Sequence, residues 1–198
     1  MRQIICQTIL FLTIALLVNG CIGTTAETRY YALNSSAISE NTNEGLIISV
    51  GPFEIPEYLN RHNVIMRGQG TNLKVLKFDY WAEPLSYAVT RRIAVTLSGN
   101  INDGFIVQFP ASTDVSPDYR VRGRITHFEA DENGEVRLSL RWGILDRDGN
   151  FAAAPRGANF AASVEPSDDV TAITTAMGNL LDELALSIEQ ELNAIGVN

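Results

Sequence analysis

From residue 170 onward, apolar side chains recur every three or four positions: Val170, Ile173, Met177, Leu180, Leu181, Leu184, Ile188 and Leu192. That spacing places them on one face of a long helix. Ser167 can cap it, Asp168 and Asp169 suit its positive end, and Gly196 lies beyond its last turn. A second stripe, Leu85, Val89, Ile93 and Leu97 with Ala88 beside it, follows Pro84 and stops at Gly99. Proline suits a first helical position, where its missing N–H costs nothing, and glycine suits the stop.

Elsewhere the apolar period is two, or the run is continuous. Residues 46–50 form a run, apolar but for Ser49, bounded by Gly45 and Gly51-Pro52, which predicts a buried strand. Residues 64–67 and 73–78 read as two strands of a hairpin around Gly68–Gln69–Gly70–Thr71–Asn72. A strand is expected near residues 105–109, then a loop over 110–118. Three long strands follow, over 119–130, 135–146 and 149–162, the first two joined at Asp131-Glu132-Asn133-Gly134. In the middle strand Val136, Leu138, Leu140, Trp142 and Ile144 alternate, so that face is core. In the strand before it Val121 and Ile125 share one parity and Phe128 takes the other, which predicts a β-bulge near His127. The pattern predicts a single α+β domain over 46–198: a mostly antiparallel mixed sheet with both helices on one face. Residues 29–33 (Arg-Tyr-Tyr-Ala-Leu) form a further short strand inside an otherwise polar tether, 21–45.

The first twenty residues have a different character. Met1-Arg2, an apolar run over 4–18 and then Asn19-Gly20 have the layout of a signal peptide. The run is shorter than the ~20 residues that cross a bilayer core. Leu17-Val18-Asn19-Gly20-Cys21 resembles a bacterial lipobox, which makes Cys21 the expected lipidation site and the new N-terminus. That resemblance implies a covalent lipid anchor, durable because several acyl chains are buried together. Ile22 stands where an Asp would signal inner-membrane retention, so the resemblance favours the periplasmic face of the outer membrane.

Composition narrows the partners. Arg2 is the only charge within residues 1–20, so 14 basic and 23 acidic residues remain after it, a balance of −9. Such a balance argues against nucleic acid or an anionic bilayer as the main partner. The chain has two cysteines; Cys6 leaves with the leader and Cys21 takes lipid, so no disulfide is expected. No nucleophile elbow, phosphate loop or metalloprotease helix is present. His62 and His127 are isolated, whereas a zinc site needs three or four clustered ligands. The expectation is therefore no catalytic residue, no metal, no cofactor and no enzyme. One charge cluster remains: Arg120, Arg122 and Arg124 alternate on one strand, Arg137 and Arg141 on the next. It fits either a docking surface for an acidic partner or lipid headgroups, or a solvated face balanced by Glu129 and Glu135. The weakness of exposed pairs favours the solvated face.

Three stretches carry a family resemblance. They are Tyr30-Tyr31-Ala32-Leu33, the run Ile48-Ser49-Val50-Gly51-Pro52-Phe53-Glu54-Ile55-Pro56-Glu57-Tyr58-Leu59-Asn60-Arg61, and Phe78-Asp79-Tyr80-Trp81-Ala82-Glu83-Pro84-Leu85. Together they resemble the ABC-type transport auxiliary lipoproteins of the paraquat-inducible protein C type. Many members have Pro after the Arg where this chain has His62. The resemblance implies a non-catalytic outer-membrane subunit of an intermembrane lipid-transport system. It implies an MCE-domain periplasm-spanning protein and an inner-membrane permease as partners, and a homo-oligomeric ring as an arrangement. An assembly lipoprotein of another envelope or secretion machine is the alternative. Pro52, Glu54, Pro56, Tyr58, Leu59 and Arg61 are the expected partner-binding residues: the prolines stiffen a loop after a buried strand, and Tyr and Arg are enriched at interface hot spots.

Overall fold

The computed structural model describes residue 1 and residues 26–34, 45–101, 104–110 and 116–197. The leader, Cys21 and most of the tether lie outside the described residues, as does the middle of the 110–118 loop.

Eight strands and two helices follow in the order β1 (Arg29–Tyr31), β2 (Leu46–Glu54), β3 (Asn63–Arg67), β4 (Leu73–Trp81), α1 (Leu85–Asn100), β5 (Gly104–Gln108), β6 (Tyr119–Asp131), β7 (Glu135–Leu145), β8 (Phe151–Ser163) and α2 (Val170–Ala194). The sheet is mixed, and its two longest ladders, β6 with β7 and β7 with β8, are antiparallel. The other edge of β6 is shared. Its first half pairs in parallel with β2, which pairs with β5; its last residues pair in parallel with β3, which leads to β4 and β1. β6 is thus the strand on which both halves of the sheet meet.

Both helices cover one face, as expected. Leu85, Ala88, Val89, Ile93 and Leu97 of α1 are buried against β2 and β5. The eight-residue stripe of α2 is buried against β6, β7 and β8. Fully burying a large aliphatic chain contributes ~1.5–3 kcal/mol, so these stripes are the main reason the helices dock. Arg92 of α1 chelates Asp182 of α2, and Thr96 Oγ1 donates to the same carboxylate at 2.7 Å.

The predicted bulge exists: the β6–β7 register shifts between Ile125 and His127, leaving Thr126 as the extra residue. That slip returns Phe128 to the core opposite Leu138. Three boundaries differ from the expectation. β2 does not stop at Gly51-Pro52 but continues to Glu54. It passes under α1 there: Gly51 has φ +102, and a Cβ on it would sit 2.5 Å from Thr90 Cγ2. Only glycine serves both the backbone angle and the close approach. β4 runs on to Trp81 because β1 pairs beside its last three residues. The cap of α2 is Asp169, whose carboxylate accepts from Ala172 N at 3.0 Å, in place of Ser167.

Candidate functional site

The helix-free face of the sheet carries the chemistry. On it the six expected partner-binding residues part company. Pro52 is half-buried and lines a groove between β2, β6, β7 and β8; Glu54 is exposed beside it and accepts from Arg124 Nε at 2.6 Å. Pro56 opens a turn in which Leu59 N donates to its carbonyl at 2.9 Å. That turn folds Leu59 into the core, at 2 % exposure. Arg61 is exposed in the next turn.

Tyr58 points to a polar node. Its hydroxyl donates to Glu129 Oε2 at 3.1 Å. Arg67 Nε and Nη2 both donate to Glu129 Oε1, at 2.9 and 2.6 Å, and Nη2 also donates to the Tyr58 hydroxyl at 3.2 Å. Phe128 N donates to Glu129 Oε2 at 2.8 Å, so each oxygen of this carboxylate, 3 % exposed as a residue, accepts two bonds. The Arg67 guanidinium also stands 5.8 Å from the Tyr58 ring centroid. Burial first, and Glu129 second, push the Tyr58 hydroxyl up to about 12. A cleft of about 470 Å³ opens beside the node, lined by His127, Asp131, Glu132 and Arg137 among others. Among the described residues no three His, Cys, Asp or Glu side chains cluster as metal ligands would.

Across the bulge, the Arg cluster is arranged differently. Arg124 and Arg141 are direct cross-strand partners, and Arg122 lies opposite Gly143. Glu129 does not balance this face, since Arg67 and Tyr58 occupy it; Glu135 pairs with Arg137 at 2.8 Å. Arg120 donates to the carbonyls of Asp146 and Arg147. Among the described residues, Glu54 is the one carboxylate that pairs with Arg122, Arg124 or Arg141. Of the two carboxylates expected to balance the five arginines, Glu135 does so for Arg137 and Glu129 does not. The three guanidiniums border a groove of about 380 Å³ whose apolar wall is Pro52, Leu145, Phe151 and Pro155. The Phe151 ring lies over Gly143, where a Cβ would be 3.1 Å from it, and Phe151 is 59 % exposed. Sequence reasoning missed Phe151 and Pro155; an aromatic residue directly after the Asp146–Asn150 turn was the available signal.

The remaining motif explains itself structurally. Asp79, buried, accepts from the Tyr31 hydroxyl at 3.0 Å and pairs with Arg29 at 2.8 Å. Trp81 is core, and its backbone N–H donates to His62 O at 2.6 Å. The Tyr-Tyr-Ala-Leu and Phe-Asp-Tyr-Trp stretches are thus two sides of one parallel ladder, Arg29–Tyr31 against Asp79–Trp81.

The fold is a two-helix layer on one face of a mixed sheet, with a helix-free polar face opposite. The chain belongs to the ABC-type transport auxiliary lipoprotein component family, whose profile matches residues 31–189. The crystal structure of an uncharacterized protein is similar, with TM-score 0.69 and 16% identity over 84% of this chain and 99% of that one. A DUF330 protein of Xanthomonas campestris is similar with TM-score 0.64 and 15% identity, over 81% of this chain and 92% of its own. At these identities the likeness establishes the fold. No curated protein sequence matches the chain. No helix among the described residues is long and apolar enough to cross a membrane.

Proposed function

We propose that this auxiliary lipoprotein is the outer-membrane subunit of an intermembrane lipid-transport system, anchored through acylated Cys21 and facing the periplasm. It works as a non-catalytic adaptor. Its helix-free face docks an acidic segment of an MCE-domain protein, which connects it to the inner-membrane permease.

The observation that carries this reading is the Arg124–Arg141 juxtaposition beside an exposed Phe151. Like charges directly opposite in a ladder are destabilising. A fold has no structural reason to hold them there, and breaches of local rules concentrate at functional sites. Guanidiniums next to an aromatic and two prolines offer a partner both charge pairing and an apolar anchor, the composition of interface hot spots. Family membership supplies the transport context.

The test is capture of the acylated chain from crosslinked membranes. The wild type should bring down MCE and permease subunits, and Arg122→Glu with Arg141→Glu should lose them while the protein stays folded. Retention of both by the double variant would refute docking at this face. Capture of a different envelope machine would refute the lipid-transport assignment. Cys21→Ser should release the transporter from outer-membrane fractions.

A further inference from the structure

Strand β1 begins eight residues after Cys21. Eight peptide units span at most about 29 Å, whatever their conformation. A compact domain of this size is about 38 Å across, from its expected radius of gyration of about 15 Å. The anchor therefore holds the β1 end of the sheet closer to the bilayer than the domain's own width.

What that end displays is unlike the rest of an acidic protein. Tyr30 of β1 is 69 % exposed, and on β4 Leu73, Val75 and Phe78 are exposed too. The Tyr30 and Tyr80 rings meet at 5.7 Å, forming an aromatic pair at the edge. Lys74 and Lys77, the only two lysines in the chain, are both exposed on this same strand. Arg29 is paired with Asp79, whereas neither lysine forms an ion pair among the described residues; Lys74 lines a small cleft with Arg67, Glu132 and Asp168. β1 covers β4 only at Asp79–Trp81, which leaves the lysine-bearing stretch at the margin of the sheet.

Tyrosine and long cationic chains are the side chains that settle at a lipid–water boundary, where an apolar body and a polar tip are both satisfied. We propose that the β1–β4 edge rests on the phospholipid surface that holds the Cys21 anchor, so that the domain has a fixed orientation on the membrane. The inference rests on the anchoring reading above. β6 separates the strands of this edge from the β7–β8 side of the Arg groove, so the groove's β8 wall faces away from the bilayer edge.

The experiment uses the full acylated chain in vesicles of phosphatidylethanolamine and phosphatidylglycerol. The mature chain has no cysteine besides Cys21, so Phe78→Cys or Phe151→Cys takes a single environment-sensitive fluorophore. Shallow spin-labelled lipid should quench the Phe78→Cys label several-fold more than the Phe151→Cys label. Val75→Cys gives the same reading where Phe78→Cys disturbs the sheet. Lys74→Glu with Lys77→Glu should weaken the edge's contact with the anionic surface, an equilibrium in which each lysine counts about five-fold, and bring the Phe78→Cys quenching down toward the Phe151→Cys level. Equal quenching at both sites, in chains that float with vesicles and carry the acyl mass, would overturn the orientation and leave the anchor standing. Protection of the Phe78→Cys label in detergent together with a larger particle mass would overturn it in favour of a second copy. A chain that neither floats nor carries acyl mass would overturn the anchor, and the orientation with it.

Discussion

On one side of the Thr126 bulge, Glu129 accepts four hydrogen bonds from Tyr58, Arg67 and Phe128. On the other, Arg124 and Arg141 face each other with one exposed carboxylate, Glu54, for both. The two constellations occupy the same strand and the same face. In the first, the polar atoms that meet are paired, and the group ties the Pro56 turn and β3 to β6, which is remote from both in sequence. That is how a buried charge becomes structural. In the second, charge accumulates where packing does not require it. A cluster that could be removed without harm to the fold is the better place to look for function, and the contrast can be tested on both sides.

The largest effect is expected at Glu129. Glu129→Ala removes the acceptor for four bonds and leaves Arg67 with an unpaired, partly buried charge. Breaking such a pair costs ~3–5 kcal/mol, read as a lowered urea midpoint with an unchanged slope. A loss no larger than that of an exposed Glu would end the claim that the node is structural. Asp79 is a second satisfied node and should behave alike. Asp79→Asn removes the charge that pairs Arg29 and accepts from Tyr31, at a cost of ~1–3 kcal/mol. Because that node holds β1, hydrogen exchange should rise first at Arg29–Tyr31.

Tyr58 comes next, and its test is a pH profile. Its hydroxyl is raised from 10.0 to about 12 in the folded protein. Below pH 10 both folded and unfolded states keep the proton. Between pH 10 and about 12 the unfolded state loses it and the folded state does not, so the unfolded state is favoured and stability falls with pH. Tyr58→Phe should weaken the protein at neutral pH by about one hydrogen bond, ~0.5–1.5 kcal/mol, and flatten that alkaline decline. A decline of unchanged steepness would place its cause elsewhere.

The comparison also explains what the sequence could reveal. The β6–β7 hairpin, the bulge and both helices were legible because alternation and three-to-four spacing are local. The like-signed arginines were legible for the same reason. The node was not. Glu129 lies on the face of the arginines, opposite Arg137, as parity across the bulge requires. It is buried by Tyr58 and Arg67, residues 71 and 62 positions away, and no local pattern announces such a meeting. Leu59 and Tyr58 have interface chemistry by type, but the Pro56 turn directs one into the core and the other to Glu129. Asp79 falls just beyond the strand predicted over 73–78, and only the parallel pairing with β1 makes it a clamp.

The smallest predicted effect on stability has the opposite sign, which makes it the sharpest discriminator. Arg141→Thr replaces one of two like charges in a direct cross-strand position with a strand-favouring neutral residue. The Arg141 side has no ion pair to lose among the described residues, and Glu54 keeps Arg124. Relief of repulsion and a better strand former together should raise stability by ~0.2–1 kcal/mol. The gain should shrink in high salt, because exposed charges are screened within about 10 Å at 0.1 M. The same variant should capture less MCE partner from membranes. A residue whose removal strengthens the fold and weakens an interaction is held in place by the interaction. A destabilised Arg141→Thr with normal capture would reverse the assignment, making the guanidinium part of the scaffold and returning the search for the docking surface to Arg61 and the Pro56 turn.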